Sequence, residues 1–186
     1  AIDYLLPQNR VRIFIRGLRK QISDAVPACL PPFGRKSLKE ILGSFPNVVR
    51  KNLTLPQQEN LAGFEELICE KVSQNLLQQS DVCVVPIDRS RQNVYTCTCS
   101  VNVAPTLTTH NAYLMVLSVD DVVDATTDVE RKFFRFLHNS ERLALQGLPS
   151  AILETLLPNK VMFAAGSAYP VQLIIAALHP MLMALA

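Results

Sequence analysis

At 186 residues, 49% of them apolar and 18% charged, the chain is long enough for one domain with its own core and too short for two of ordinary size. It has six glycines and no glycine-rich phosphate loop, nucleophile elbow or CxxC pair, which argues against nucleotide-binding, serine-hydrolase and zinc-finger classes. Its net charge of +2 is divided, because residues 1–51 hold ten Lys/Arg and three acids while residues 52–186 hold eight and thirteen. The N-terminal quarter therefore favours acidic or polyanionic partners.

The first predicted element is a basic amphipathic helix over residues 9–26, where apolar residues recur at helical spacing. A strand over residues 10–16 is the competing prediction, because apolar and basic residues also alternate there. The basic side is the predicted binding site for a polyanion or an acidic partner, and residues 1–33 form the predicted arm and linker. The residues of this site are Arg10, Arg12, Arg16, Arg19 and Lys20.

Two further helices are predicted before the sheet. Ser37 and Glu40 have the spacing of a capping box, which predicts a short helix over residues 38–43. Pro56 suits the first turn of a longer helix, predicted over residues 57–79. The apolar stripe of that helix consists of Leu61, Phe64, Ile68, Val72 and Leu76.

Three strands are predicted next. Residues 81–87 are rich in valine, and Pro86 suits an edge strand or the end of a strand. Apolar and polar residues alternate over residues 95–103, which indicates a strand with one buried face. Residues 112–119 are almost continuously apolar. We expect the last two segments to pair as an antiparallel hairpin.

A long helix is predicted over residues 128–146, opened by a capping box at Thr127 and Glu130 and ended by Gly147. It has more apolar residues than one buried stripe requires, which predicts a second contact surface. The predicted interface residues of this helix are Phe133, Phe134 and Phe136.

The C-terminal segment, residues 161–186, has no formal charge. A short helix from Ser150 is predicted to stop at Pro158, followed by a strand over residues 161–165 and a helix over residues 171–186, interrupted at Pro180. Sixteen helical residues span about 24 Å, less than the bilayer core of about 30 Å. Packing against the core or a neighbouring subunit is therefore predicted, with a membrane span or a membrane-surface segment as alternatives. The predicted interface residues are Leu173, Ile174, Ile175, Leu178 and Met181.

Two clusters carry groups suited to catalysis or metal binding. Cys97, Cys99 and His110 offer metal ligands or a nucleophile with a base, but both cysteines share the apolar side of a predicted strand, which favours buried thiols. Asp120 and Asp121 begin an acidic loop that lacks the ligand pattern of a calcium loop, so we expect it to be solvated. We predict no metal site and no cofactor.

The five cysteines have no regular spacing, so we expect them to be reduced and mostly buried, in an intracellular protein for which membrane association is open. The predicted fold is α+β, with a small antiparallel sheet of three to four strands covered by helices. Residues 34–160 form the predicted core domain, and residues 161–186 pack on it or on a partner subunit.

The predicted function is that of a non-enzymatic structural or assembly subunit, such as a capsid, coat or scaffold component, in a homo- or hetero-oligomer. A stand-alone module that binds nucleic acid or an anionic membrane through the basic arm is one alternative. A cysteine- or metal-dependent hydrolase is the other. The sequence indicates no small-molecule substrate.

Overall fold

The computed structural model describes residues 16, 28–31, 37–88, 102–109, 113–124 and 133–184. Within these ranges the fold is α+β, as predicted, with five α-helices and a three-stranded antiparallel sheet. The helices are α1 (Leu55–Ser73), α2 (Val119–Asp124), α3 (Asn139–Leu145), α4 (Pro158–Ser167) and α5 (Val171–Met183). The strands are β1 (Val82–Pro86), β2 (Leu114–Ser118) and β3 (Phe134–Phe136), and short 3-10 helices cover Leu38–Glu40, Arg50–Asn52 and Ser150–Glu154.

The longest described helix, α1, is the one predicted over residues 57–79. Pro56 lies in its first turn, and Leu61, Phe64 and Ile68 are buried as the apolar stripe requires. The helix ends at Ser73, earlier than predicted, because Asn75 adopts a left-handed conformation with φ of 56° that stops the helical chain. Leu76 therefore lies beyond the helix and is 59% exposed.

The sheet order is β1-β2-β3, with Val84 opposite Val116 and Leu117 opposite Phe134. Pro86 is the last residue of the edge strand β1, a position at which a missing N–H is tolerated. Both sides of β2 are occupied, so the predicted hairpin between residues 95–103 and β2 is wrong. Residues 95–101 lie outside the described residues, and the last two residues of that predicted strand are not in a strand.

Helices and loops cover both faces of the sheet. The first core cluster includes Cys83, Met115 and Phe134, packed against the buried stripe of α1. The second core cluster lies on the other face and includes Val84 and Val116, packed with buried residues of α3 and α4. Because β2 is buried on both faces, its sequence is a continuous apolar run instead of an alternating one.

The single helix predicted over residues 128–146 is wrong. Its described part consists of β3 followed by α3, and Gly147 ends α3 with φ of 71°, as predicted. Phe134 and Phe136 belong to β3 and pack on or against the first core cluster. The second edge of β2 can be paired only by an extended segment, and residues 134–136 supply it.

The predicted strand over residues 161–165 is also wrong, because this segment lies within α4. Val161 and Ala165 are both buried, one helical turn apart, and Pro158 begins the helix. A short apolar run does not distinguish a strand from a buried helix by periodicity alone. The short helix predicted over residues 38–43 is confirmed only as a 3-10 helix at Leu38–Glu40, with its capping box present.

The helix predicted over residues 9–26 lies outside the described residues, apart from Arg16. Three cysteines are described. Cys83 is buried, as expected, whereas Cys29 and Cys69 are exposed, so the expectation of buried thiols is wrong for those two.

Candidate interface of the C-terminal helices

Helices α4 and α5 are attached to the core through Gln146, which is fully buried at the end of α3. Its side-chain Nε2 donates to the carbonyl of Ala165 in α4 at 2.6 Å. The backbone carbonyl of Gln146 accepts from the backbone N–H of Val171, the first residue of α5, at 3.0 Å. One glutamine therefore positions both helices relative to the sheet.

A second attachment is a close backbone contact at Gly166 in α4. A Cβ atom at this position would lie 2.3 Å from the carbonyl carbon of Thr108 and 2.4 Å from the nitrogen of Thr109. Only glycine allows this approach, which seats α4 on the loop of residues 102–109. The inner sides of α4 and α5 are thus held by the domain, with Ala176 and Ala177 buried in α5.

The opposite side of α5 is exposed and largely apolar, with the exposed His179 among its residues. Ile175, Leu178 and Leu182 follow one another at spacings of three and four, so they lie on one side of the helix, and they are 46%, 43% and 62% exposed. We call these three residues the outer face of α5. Further exposed apolar residues are Phe163 on α4, Met183 at the end of α5, and Leu157 and Tyr169 in the segments flanking the two helices.

The outer face lacks the charges that normally cover a helix surface. No residue from Val161 to Ala186 carries a formal charge, whereas a solvent-facing helix side is usually rich in Lys and Glu. Single exposed apolar residues are ordinary, but several on adjoining helices mark a contact site. Within the described residues, no single helix is long and apolar enough to cross a bilayer; α4 and α5 pass the length and composition test only as a pair bent by 45°.

The basic arm contacts the inner side of α5. The backbone N–H of Leu30 donates to the carbonyl of Ala176 at 3.0 Å, and Arg16 Nη1 donates to the carbonyl of Ala177 at 3.1 Å. Of the predicted polyanion site, Arg16 is therefore engaged by its own chain. The other four predicted residues, Arg10, Arg12, Arg19 and Lys20, lie outside the described residues.

The structure separates the predicted interface residues into two groups. Ile175 and Leu178 are exposed, and Leu173, Ile174 and Met181 are half-buried beside them on α5. Phe134 has no exposed surface, and Phe133 and Phe136 are partly buried against the core clusters. The three phenylalanines therefore contribute to the packing of this domain, since Phe134 and Phe136 lie in β3 and Phe133 directly precedes it.

Two residues of the exposed surface were missed. Leu182 lies four positions after Leu178, so extending the helical spacing beyond Pro180 would have found it. Phe163, 58% exposed, was assigned to a strand that does not exist, and only recognition of Pro158 as a helix start would have placed it on α4.

A buried ion pair joins β3 to α3. The Arg135 guanidinium and the Glu141 carboxylate, 1% and 2% exposed, form two hydrogen bonds of 2.8 and 2.7 Å. Glu141 also accepts from the backbone N–H groups of Gly43 and His138, each at 2.8 Å. Because each charge faces its counter-charge within the core, we assign this network to structure. The sequence-based prediction missed this ion pair, because it placed both residues on one helix over residues 128–146.

In the part of the chain that the structure describes, the remaining titratable groups give no catalytic arrangement. Burial lowers the pKa of Arg142 to about 10, although the carboxylates of Asp88 and Glu141 raise it, so the guanidinium stays charged at neutral pH. His138 stacks on Phe45, and its Nδ1 caps α3 at Ser140.

The acidic segment predicted as a loop forms α2 in its described part, where Asp121 accepts from the backbone N–H of Phe133. Among the described residues, no group of three His, Cys, Asp or Glu side chains is close enough to hold a metal ion. Cys97, Cys99 and His110 lie outside these residues.

No protein-family model, curated protein or solved structure matches the chain significantly.

Proposed function

We propose that the chain is a non-enzymatic subunit of a larger assembly, and that the outer face of α5 packs against the same face of a second copy. The observation that supports this proposal is the uncharged, exposed side of a helix whose other side is held by the domain. Leu178 lies in the middle of the outer face and is the best single position at which to test it.

A second copy suits this face for electrostatic reasons. A two-fold interface places the same residues opposite each other, so any charge on it would face its own copy. The outer face carries none, and the net charge of +2 on the whole chain gives little repulsion between copies.

The energy of such a contact is set by the area still exposed. Burying the exposed half of a large aliphatic side chain contributes about 1 kcal/mol, so the outer faces of two copies contribute roughly 6 kcal/mol. This lies at the lower end of the cost of association, about 4–15 kcal/mol. A stable pair therefore also needs the exposed residues of α4 and the flanking segments, such as Phe163 and Tyr169.

The test is the mass of the protein in solution, measured by light scattering over a range of concentrations. We expect the wild type to be at least dimeric and Leu178→Glu to be monomeric, because the substitution buries a charge without a partner. The matched control is Leu55→Glu, which adds the same charge at a leucine that is 74% exposed at the start of α1. It should leave the mass unchanged.

A monomeric wild type would refute pairing between copies. If that monomer binds uncharged lipid vesicles and Leu178→Glu does not, the outer face contacts a membrane instead. A NaCl titration distinguishes polyanion binding from apolar contact. Binding of a polyanion through the arm weakens steeply as the NaCl concentration rises. A contact formed by apolar burial persists under the same titration.

A further inference from the structure

Helix α5 contains one titratable side chain, that of His179, and it lies among the residues of the outer face. His179 follows Ile175 by one helical turn, adjoins Leu178 and precedes Leu182 by three positions, so the four side chains share one side of the helix. The side chain of His179 is exposed in the single chain. Any partner that covers the outer face therefore also covers this imidazole.

Pairing of two copies brings the two His179 side chains near each other. In a two-fold interface the same patch of each copy faces the other. Leu178 lies in the middle of the outer face, so a contact centred on it places the adjacent His179 of each copy close to the two-fold axis. The axes of packed helices lie about 8–10 Å apart, and the two imidazoles are then separated by roughly that distance or less.

Protonation of His179 would add to this contact the charge that it otherwise lacks. Two imidazolium ions would face each other across an interface from which apolar side chains exclude water. Like charges repel most strongly where water is excluded, and each charge would also lose its hydration. A neutral imidazole has neither cost.

The elements attached to α5 offer no carboxylate for such a charge within the described residues. Their titratable and charged side chains are those of Arg16 in the arm, Glu141 and Arg142 on α3, Lys160 on α4, and Tyr169 between α4 and α5. The one acid among them, Glu141, is 2% exposed and is bonded to the Arg135 guanidinium in the core. The others are cations or a neutral phenol, and none of these stabilises a protonated imidazole.

We infer that His179 makes the pairing of α5 with a second copy dependent on pH, with neutral imidazoles in the pair and protonated ones in the separated chains. The inference rests on the proposed function and names the regulation of the same face. Histidine side chains in water gain their proton near pH 6.5. Because pairing admits the neutral form, it is strongest above this pH and is lost as the pH falls through it.

The size of the effect follows from the two histidines in each pair. A histidine that gains its proton near pH 6.5 is about nine-tenths neutral at pH 7.5 and about one-tenth neutral at pH 5.5. Each copy therefore loses about tenfold in the population that can pair. Two copies together raise the dissociation constant of the pair by about a hundredfold.

Analytical ultracentrifugation of the full chain tests the inference at pH 7.5 and pH 5.5, at one NaCl concentration. We expect the dissociation constant of the wild type to rise about a hundredfold on acidification, and that of His179→Gln to change less than threefold. The ratio between the two pH values is the result that decides, so a general weakening by glutamine does not affect it. His179→Lys carries a permanent charge and should weaken pairing at least a hundredfold at pH 7.5, without any change of pH.

The matched control is His138→Asn, which removes a histidine that is exposed at the start of α3. Its Nδ1 accepts from the backbone N–H of Ser140, and asparagine is a favourable residue at the same capping position. This variant should show the same hundredfold response to pH as the wild type.

The outcomes separate this inference from the proposed function. A wild type that pairs equally well at both pH values would overturn the role of His179 and leave pairing through the outer face standing. An equal pH response in His179→Gln, or full pairing of His179→Lys at pH 7.5, would also overturn it. A wild type that is monomeric at pH 7.5 would overturn both proposals.

Discussion

Replacing Glu141 with glutamine tests whether the buried ion pair holds β3, α3 and the chain near Gly43 together. The carboxylate accepts four hydrogen bonds, two from Arg135 and one each from the backbone N–H groups of Gly43 and His138. Glutamine has a single acceptor oxygen, and its amide nitrogen would face two of these donors. It also leaves the Arg135 guanidinium, 1% exposed, without a counter-charge.

Loss of one partner from a buried pair costs about 3–5 kcal/mol, a large share of a typical stability of about 5–15 kcal/mol. In urea unfolding with an m value of about 2 kcal/mol/M, the midpoint should fall by about 2 M. Glu59→Gln changes the same group at an exposed position on α1 and should shift the free energy of unfolding by less than about 0.5 kcal/mol.

A double-mutant cycle isolates the pair itself. Arg135→Met combined with Glu141→Met removes both charges, so the free energy lost should be less than the sum of the single losses by about 2 kcal/mol or more. Additive losses would refute the ion pair as the source of the effect. A loss below about 1 kcal/mol for Glu141→Gln would show that water reaches the site.

Two further predictions concern packing and exposure. Gly166→Ala should destabilise the protein by about 1–3 kcal/mol despite the higher helix propensity of alanine, because its Cβ would overlap the backbone of Thr108. A gain in stability, measured by urea unfolding, would contradict that contact. The control is Ser167→Ala at the exposed neighbouring position. In the folded protein, an alkylating reagent should modify Cys69 rapidly and Cys83, which has no exposed surface, only after unfolding; peptide mass spectrometry that finds both modified at similar rates would contradict the assigned burial.

Local sequence patterns predicted an element correctly where the pattern alone determines whether the segment is a helix or a strand. The stripe of Leu61, Phe64 and Ile68, the capping box at Ser37 and the apolar run of β2 each predicted their element, because a helix or strand buries such a pattern directly. These patterns gave a wrong prediction where the conformation of a segment depends on a partner that is distant in the sequence. The sequence around Phe134 and Phe136 is compatible with a helix, but the segment is a strand because it pairs with the edge of β2.

The candidate interface was predictable in part for the same reason. The absence of charge and the positions of Ile175 and Leu178 are visible in the sequence, since exposure follows from helical spacing. The contact between the arm and α5 was not, because a backbone acceptor has no side-chain signature and the two segments are more than one hundred positions apart. Pro180 was the available signal, interpreted as a helix break.

The structure shows instead that α5 continues through Pro180. A proline in a helix interior costs roughly 3 kcal/mol, partly through the lost bond to Ala176 and partly through steric contact. The N–H of Leu30 offsets the first part by satisfying that carbonyl. The inner side of α5 thus depends on a segment from the other end of the chain, while its outer side is largely apolar and exposed in the single chain.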